Sequence, residues 1–324
     1  MHTSPTLKTI VQVIEGLPLA KRRKAAQGRK PIYSDSFIVA LAVYQKLYKI
    51  KHAQAMLAIL ASFDVDVPAA STFCERKQQL LGQIILVVKH LCANRQAQAI
   101  KQHLDSKKVE VIDFARANRT KRAGAYGYDH IHKSTFFGFR LHARVDEQGA
   151  FCAVLLRPAN EHDVTVAPRL LEQLSYRIIT ADKGYISQDL KRALDKHAVH
   201  LVTPRRSNQL PPPPAERRLY KNHRRVETAF SSLDRLGLSD RPYRSTIGFV
   251  LHVYLTILAY QLQDVFKVLM AHCPFVMHKL HFHLLCMTVL RIGVRFFLFI
   301  TQRMSQQKSG ISTKLSRLLM SKMD

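Results

Sequence analysis

The stretch RIITADKGYISQDL, Arg177 to Leu190, constrains the fold more than any other part of the chain. Its β-branched apolar residues favour a buried strand, which stops abruptly at Asp182. Lys183 and Gly184 turn the chain, SQDLKRALDKHA then has helical periodicity, and VHLVTP returns to strand. Asp182 has two readings at this point: an acid capping the next helix, or a metal ligand at the carboxyl end of a sheet.

Upstream, VEVIDFA ends a short strand near Asp113, FFGFRLHARV alternates as a half-buried strand does, and AFCAVLLRP pairs with it across the turn DEQG. TVAPRLLEQL is helical. The order β-β-β-α-β-α-β predicts an α/β fold, a mixed sheet with helices on its faces. The prolines of RRSNQLPPPPAERR predict a loop. Beyond it, LYKNHRRVETAFSSLDRL reads as a helix with Val226, Phe230 and Leu233 inward. FVLHVYLTILAYQL reads as another, with Leu251, Tyr254, Leu258 and Leu262 inward.

From Ser34 to about Leu91 the pattern is helical throughout. Phe37, Leu41, Tyr44 and Tyr48 follow the cap signal Ser34/Asp35, and Met56, Ile59, Leu60 and Phe63 form a second stripe. Thr72 and Glu75 have capping-box spacing, which puts Arg76 and Lys77 in the first turns of a third helix. Such a basic front suits a helix-turn-helix DNA reader and equally a plain helical bundle. The chain is expected to divide into a helical DNA-binding domain, residues 1–105, the sheet domain, 106–263, and a basic tail, 264–324.

The charge narrows the partners. Fifty Lys and Arg against 23 Asp and Glu give the 324-residue chain a net charge of +27, while its 47% apolar content supports a large core. Nucleic acid is the expected partner, since neutralised phosphates release counterions; an anionic membrane surface is the competitor. The first residues run into KRRKAAQGRK rather than a secretory apolar stretch, so the chain is expected to be cytoplasmic. Its five cysteines are scattered without a C-x-x-C pair and read as reduced, buried hydrophobes.

The tail departs from this pattern, having no acid between Asp264 and Asp324. Its apolar run LLCMTVLRIGVRFFLFI contains Arg291 and Arg295, each costing about 2.5–3.5 kcal/mol in a bilayer centre, so no membrane span is expected. Cys273, His278, His281, His283 and Cys286 lie close together but match no zinc-finger spacing.

Three acids occupy comparable places: Asp113 on the first strand, Asp182 at the end of the fourth, and Glu227 on the late helix. Singly, each reads as a solvent-facing, capping or ion-paired acid. Together, two acids on neighbouring central strands cannot both stay ionised cheaply unless a cation such as Mg²⁺ joins them.

The segments VIDFARANR, ANEHDV, ITADKGYIS, HLVTPRR and RRVETAFSSL resemble, in order, those of bacterial insertion-sequence transposases with an acidic D-D-E triad, insertion sequence family 982 among them. The resemblance covers about Asp35 to Leu262. It implies a ribonuclease-H-like core in which Asp113, Asp182 and Glu227 hold two Mg²⁺ or Mn²⁺ ions. It also implies hydrolysis of a phosphodiester at the element end, followed by attack of the freed 3′-OH on target DNA.

Partners implied are the terminal inverted repeats, target DNA and further copies of the chain, in the bacterial nucleoid. A catalytically decayed DNA-binding protein and a nuclease without strand transfer are the rivals. Such transposases carry Tyr and Arg before the glutamate and Lys after it; Tyr220 matches, whereas His223 and Asp234 depart. Candidate DNA contacts are Arg76, Lys77, Lys133, Arg140, Lys183, Arg205, Arg206, Tyr220, Arg224 and Arg225. His142 shares the strand of Arg140, and His162 and Asp163 are expected to cap the following helix.

Overall fold

The computed structural model describes residues 6–19, 31–130, 132–205, 213–220, 222–241 and 243–271. Arg206, the zinc-like Cys/His group and the apolar run around Arg291 and Arg295 lie outside them.

Among the described residues, five helices come first: α1 (Leu7–Glu15), α2 (Asp35–Leu47), α3 (Ala53–Ala61), α4 (Ala70–Gln79) and α5 (Leu81–Gln98). Ser34 caps α2 as expected, its Oγ accepting from Phe37 N at 3.1 Å. The capping box at Thr72 does not form. The helix starts after Ala69 with no side-chain cap, so Arg76 and Lys77 fall in its last turn rather than its first. Arg76 is buried, donating to Asp35 Oδ1 and to Tyr33 O at 2.7 Å, and Lys77 lies over the Phe73 ring at 4.6 Å. The expected basic front is therefore turned inward: Arg76 joins α4 to α2, and Lys77 lies along its own helix.

The sheet has six strands: β1 (Lys101–Ile112), β2 (Ala125–Asp129), β3 (Ser134–Asp146), β4 (Phe151–Pro158), β5 (Arg177–Ala181) and β6 (Val199–Val202). β1 is central, antiparallel to β3 on one edge and parallel to β5 on the other, with β6 outermost and parallel to β5. β2 and β4 share the far edge of β3. This is the ribonuclease-H-like mixed sheet flanked by helices that the sequence implied. β2 was not anticipated, and β1 begins at Lys101, well before the apolar alternation of VEVI.

Each face has its own cover. Helices α6 (Asp163–Leu171) and α7 (Gln188–Asp195) bury Leu104, Ile179, Ala181 and Leu201 on one side. On the other, α5, α9 (Arg224–Arg235) and α10 (Thr246–Ala271) share a core cluster with α1–α4 and with Val109, Leu141 and Ala143 of the sheet. A short helix, α8 (Pro214–Tyr220), precedes α9. The segment Thr246–Phe266 is long and apolar enough to cross a membrane, but 67% of it is buried inside the molecule. Backbone proximity fixes Gly138, where an added Cβ would stand 2.3 Å from Val109 O across the β1–β3 pair.

Candidate active site

In a strand, side chains alternate between faces, so the pairing of Leu104 with Ala181 decides what surrounds it. His103 and Thr180, paired on the adjacent strands, point to the α9 side, as does Lys107, whose Nζ lies 2.7 Å from Asp234 Oδ2 on α9. His103 Nδ1 lies 2.6 Å from Thr180 Oγ1, which lies 3.1 Å from Nδ1 of His223 just before α9. All three are buried. Burial, with Lys101 and His223 nearby, pulls His103 down to about 4, and burial also lowers His223, so both rings are neutral hydrogen-bonding groups near pH 7.

The acids follow from this buried layer. Asp105 stands two residues beyond His103, Asp182 two beyond Thr180, and Glu227 one helical turn beyond His223. Strands lie about 4.8 Å apart, so Asp105 and Asp182 leave neighbouring backbones side by side. Small Ala143 pairs opposite Asp105 on β3. Burial raises the Asp105 carboxyl to about 7, with Asp182, Asp163 and Glu227 adding to the rise. Tyr220 is raised as well, by burial and then by Asp182, Asp105 and Glu227, so its ring shares their neighbourhood. It stacks on His223 with centroids 4.7 Å apart.

In a chain of net charge +27, no described Lys or Arg lies within ion-pair distance of Asp105, Asp182 or Glu227. Asp182 and Glu227 place negative charge around Asp105, and carboxylates are the hard oxygen ligands that suit a divalent ion, although among the described residues no three such side chains close into a group able to hold one as they stand. His103 and His223 each engage Thr180 through Nδ1, while His103 Nε2 is buried without a hydrogen-bond partner among the described residues.

Asp113, the acid expected to pair with Asp182, is elsewhere. It follows the end of β1, its side chain is 64% exposed, and it accepts from Arg241 Nη1. Eight residues of extended strand separate it from Asp105, about 26 Å. The longer β1 that brings Asp105 beside Asp182 has a physical cause. The polar stretch KQHLDSK hides the first half of β1, because Gln102 and His103 face inward to bond Arg144 and Thr180 rather than to pack apolar surface. The signal that could have pointed to Asp105 was an Asp-Ser pair two lysines before a strand-forming VEVI.

Asp182 does not cap α7. Ser187 does, its Oγ accepting from Leu190 N at 3.2 Å, while Asp182 precedes a single 3₁₀ turn, Lys183–Tyr185, and makes no cap bond. Likewise His162 caps nothing at α6, and Asp163 turns back to place Oδ1 3.6 Å from His142 Nδ1. His142 is fully buried, so it cannot touch DNA. Gly184 leaves room for Asp163, since a Cβ on it would stand 3.0 Å from Asp163 Oδ2 and that carboxylate would have to give way slightly.

The remaining candidate contacts are dispersed. Lys183, Arg224 and Arg225 are exposed around the acids. Lys133 is exposed in the β2–β3 turn rather than on a strand, and Arg140 is held by Tyr128 O at 2.6 Å. Arg205 pairs with Glu216 at 3.6 Å. Position 234, where the resemblance leads one to expect a lysine, holds an aspartate, and the cation stands opposite it on β1 as Lys107.

The sequence profile of the transposase DDE domain matches residues 104–262. No curated protein matches the chain. Among solved structures, a cryo-EM structure of the piggyBac transposase synaptic complex with hairpin DNA is similar at 13% identity, with a TM-score of 0.42, covering 83% of this chain and 80% of that one.

Proposed function

Because this chain belongs, through residues 104–262, to the transposase DDE family, we propose that it cuts the DNA ends of an insertion sequence and joins them to target DNA with Asp105, Asp182 and Glu227 as its catalytic acids. The observation that supports the reading is the register of β1 and β5, which sets Asp105 and Asp182 on neighbouring strands one position past the Leu104–Ala181 pair, with Glu227 on α9 over the same face. The narrower placement in insertion sequence family 982 rests on the segments around ADKGY and RRVETAF.

Asp105, Asp182 and Glu227 supply hard oxygen ligands for Mg²⁺ or Mn²⁺. A bound pair of such ions would polarise a phosphodiester and activate the attacking oxygen. The chain's own residues set the geometry. β1 and β5 fix two acids on a rigid sheet, and the buried His103–Thr180–His223 contacts fix α9, and hence Glu227, against them. Lys183, exposed beside Asp182, offers a cation to the phosphate being cut. In the first step water displaces the 3′ oxygen at the element end, leaving a 3′-OH and a 5′-phosphate. That hydroxyl then attacks a target phosphodiester, so no side-chain nucleophile is required. Two element ends imply more than one copy of the chain on DNA, in the cytoplasmic nucleoid.

The test is a cleavage and joining assay on element-end DNA with Mg²⁺. Wild type should yield nicked and joined products. Asp105→Asn, Asp182→Asn and Glu227→Gln should yield neither while still binding DNA. Nicked product without joined product would make the chain a nuclease, and full activity in Asp105→Asn would remove the assignment.

A further inference from the structure

Beyond the far end of β1 lies a cavity of about 610 Å³ that the catalytic reading does not use. Its charged lining is entirely cationic: Arg116 and Arg119 from the 3₁₀ segment Phe114–Arg119, Lys121 and Arg122 after it, and Arg244 before α10. The nearby acids, Glu110 and Asp113, are both occupied by Arg241. Arg116, Arg119, Lys121 and Arg244 are exposed, and no described carboxylate is within ion-pair distance of them.

The walls are held in place. Arg122 donates to Val111 O at 3.3 Å and to Arg244 O at 3.4 Å, and Ala123 N donates to Thr246 Oγ1 at 3.0 Å. These bonds tie the segment after β1 to the start of α10. Arginines kept apart from carboxylates on a fixed frame present donors for phosphate oxygens.

We propose that this cavity is a docking site for the phosphodiester backbone of duplex DNA, set apart from the acids by the length of β1. This rests on the transposase reading and adds a specific surface to it. From Asp105 to Ile112 the strand advances about 23 Å, seven residues at about 3.3 Å. At about 3.4 Å per base pair along one strand, that places the gripped phosphates about 7 base pairs from the phosphodiester being cut. The contact is to the backbone, so it sets position and register rather than base sequence.

Fluorescence anisotropy of the full chain with a labelled element-end duplex, read across a series of salt concentrations, tests this. The variants are Arg116→Ala/Arg119→Ala/Lys121→Ala and the same positions changed to preserve charge, Arg116→Lys/Arg119→Lys/Lys121→Arg, with Asp182→Asn alongside. The alanine variant is expected to lose affinity and to flatten the log–log salt slope by about 0.9 for each lost phosphate contact. The charge-preserving variant should keep most of both.

Ethylation interference on wild-type protein adds a readout that no folding defect can mimic: blocked phosphates should appear about 7 base pairs from the cut. Unchanged slope and affinity in the alanine variant, with wild type binding normally, would overturn the cavity assignment. So would interference confined to the cut itself, or thermal stabilisation by inorganic phosphate alone with the DNA salt slope unaltered, which marks a small-anion pocket. Failure of both wild type and Asp182→Asn to bind duplex DNA would instead remove the transposase reading beneath it.

Discussion

Asp105 and Asp182 leave neighbouring parallel strands one position past the Leu104–Ala181 pair, on the face that α9 covers with Glu227. Their separation is a property of sheet register, so it changes only if the strands slip. Asp113, on the same strand but beyond its end, has no such relationship and is tied to Arg241.

The two aspartates of β1 should therefore differ sharply on mutation. Asp105→Asn is expected to lower the rate of DNA cleavage by at least about 10²-fold with little change in DNA affinity, the scale at which loss of one preorganised charge-handling group acts. Asp113→Asn should stay within a few-fold of wild type. Single-turnover cleavage under Mg²⁺ distinguishes them, and the reverse ranking would restore Asp113.

Metal should stabilise the fold through the same acids. At a free ion concentration about 100 times the dissociation constant, ligand binding to the native state adds about 2.7 kcal/mol. A rise in melting temperature with Mn²⁺ or Mg²⁺ is expected for wild type and Asp113→Asn, and a much smaller one for Asp105→Asn and Asp182→Asn. Equal shifts in all four proteins, followed by differential scanning fluorimetry, would mean the ions bind elsewhere.

Thr180 is the point at which two buried rings meet. Thr180→Val keeps the shape but strands His103 Nδ1 and His223 Nδ1 without partners, which should cost about 1–3 kcal/mol in urea unfolding. Thr180→Ser, which keeps the hydroxyl, should cost clearly less. If valine and serine behave alike, the layer contributes packing rather than hydrogen bonds.

A separate pH effect sits far from the acids. Lys46 on α2 lies 2.8 Å from His252 Nδ1 on α10, and the other ring nitrogen of His252 faces Leu238 O at 3.2 Å. Burial pulls Lys46 down to about 7, with Lys77 adding to the fall and Asp240 opposing it; burial and then Lys46 take His252 to about 3. Between the Lys46 value of about 7 and the ordinary lysine value near 10.4, the unfolded chain binds more protons than the folded one. Stability should therefore rise with pH from about 7 to about 10, by at most about 1.4 kcal/mol per pH unit. Lys46→Met should flatten this rise, as denaturant titrations at several pH values would reveal.

The parts of the architecture that apolar periodicity encodes were legible in the sequence. The strand before Asp182, the α7–β6 return and the inward stripe of Val226, Phe230 and Leu233 all follow from spacing, and they position two of the three acids. What escaped was held by polar groups. β1 begins with Lys101, Gln102 and His103, and its burial is compensated by bonds to Arg144 and Thr180 that no local pattern announces. The proposed shift of the first acid from Asp113 to Asp105 has that reason, and the inward turn of Arg76 escaped for a similar one: its partners, Tyr33 and Asp35, become neighbours only when α4 packs on the start of α2, whereas Lys77 lies over Phe73 of its own helix.

The shared core has a consequence for how the protein is made. Ile10 of α1 and Phe266 of α10 belong to one apolar cluster, together with the α9 residues that hold Glu227 to the sheet. A growing chain can pair β1 with β3 as soon as both have emerged, yet it cannot close that cluster until α10 has left the ribosome. The acids come together late in synthesis, so a chain truncated before α10 carries all three and lacks the packing that keeps them in place.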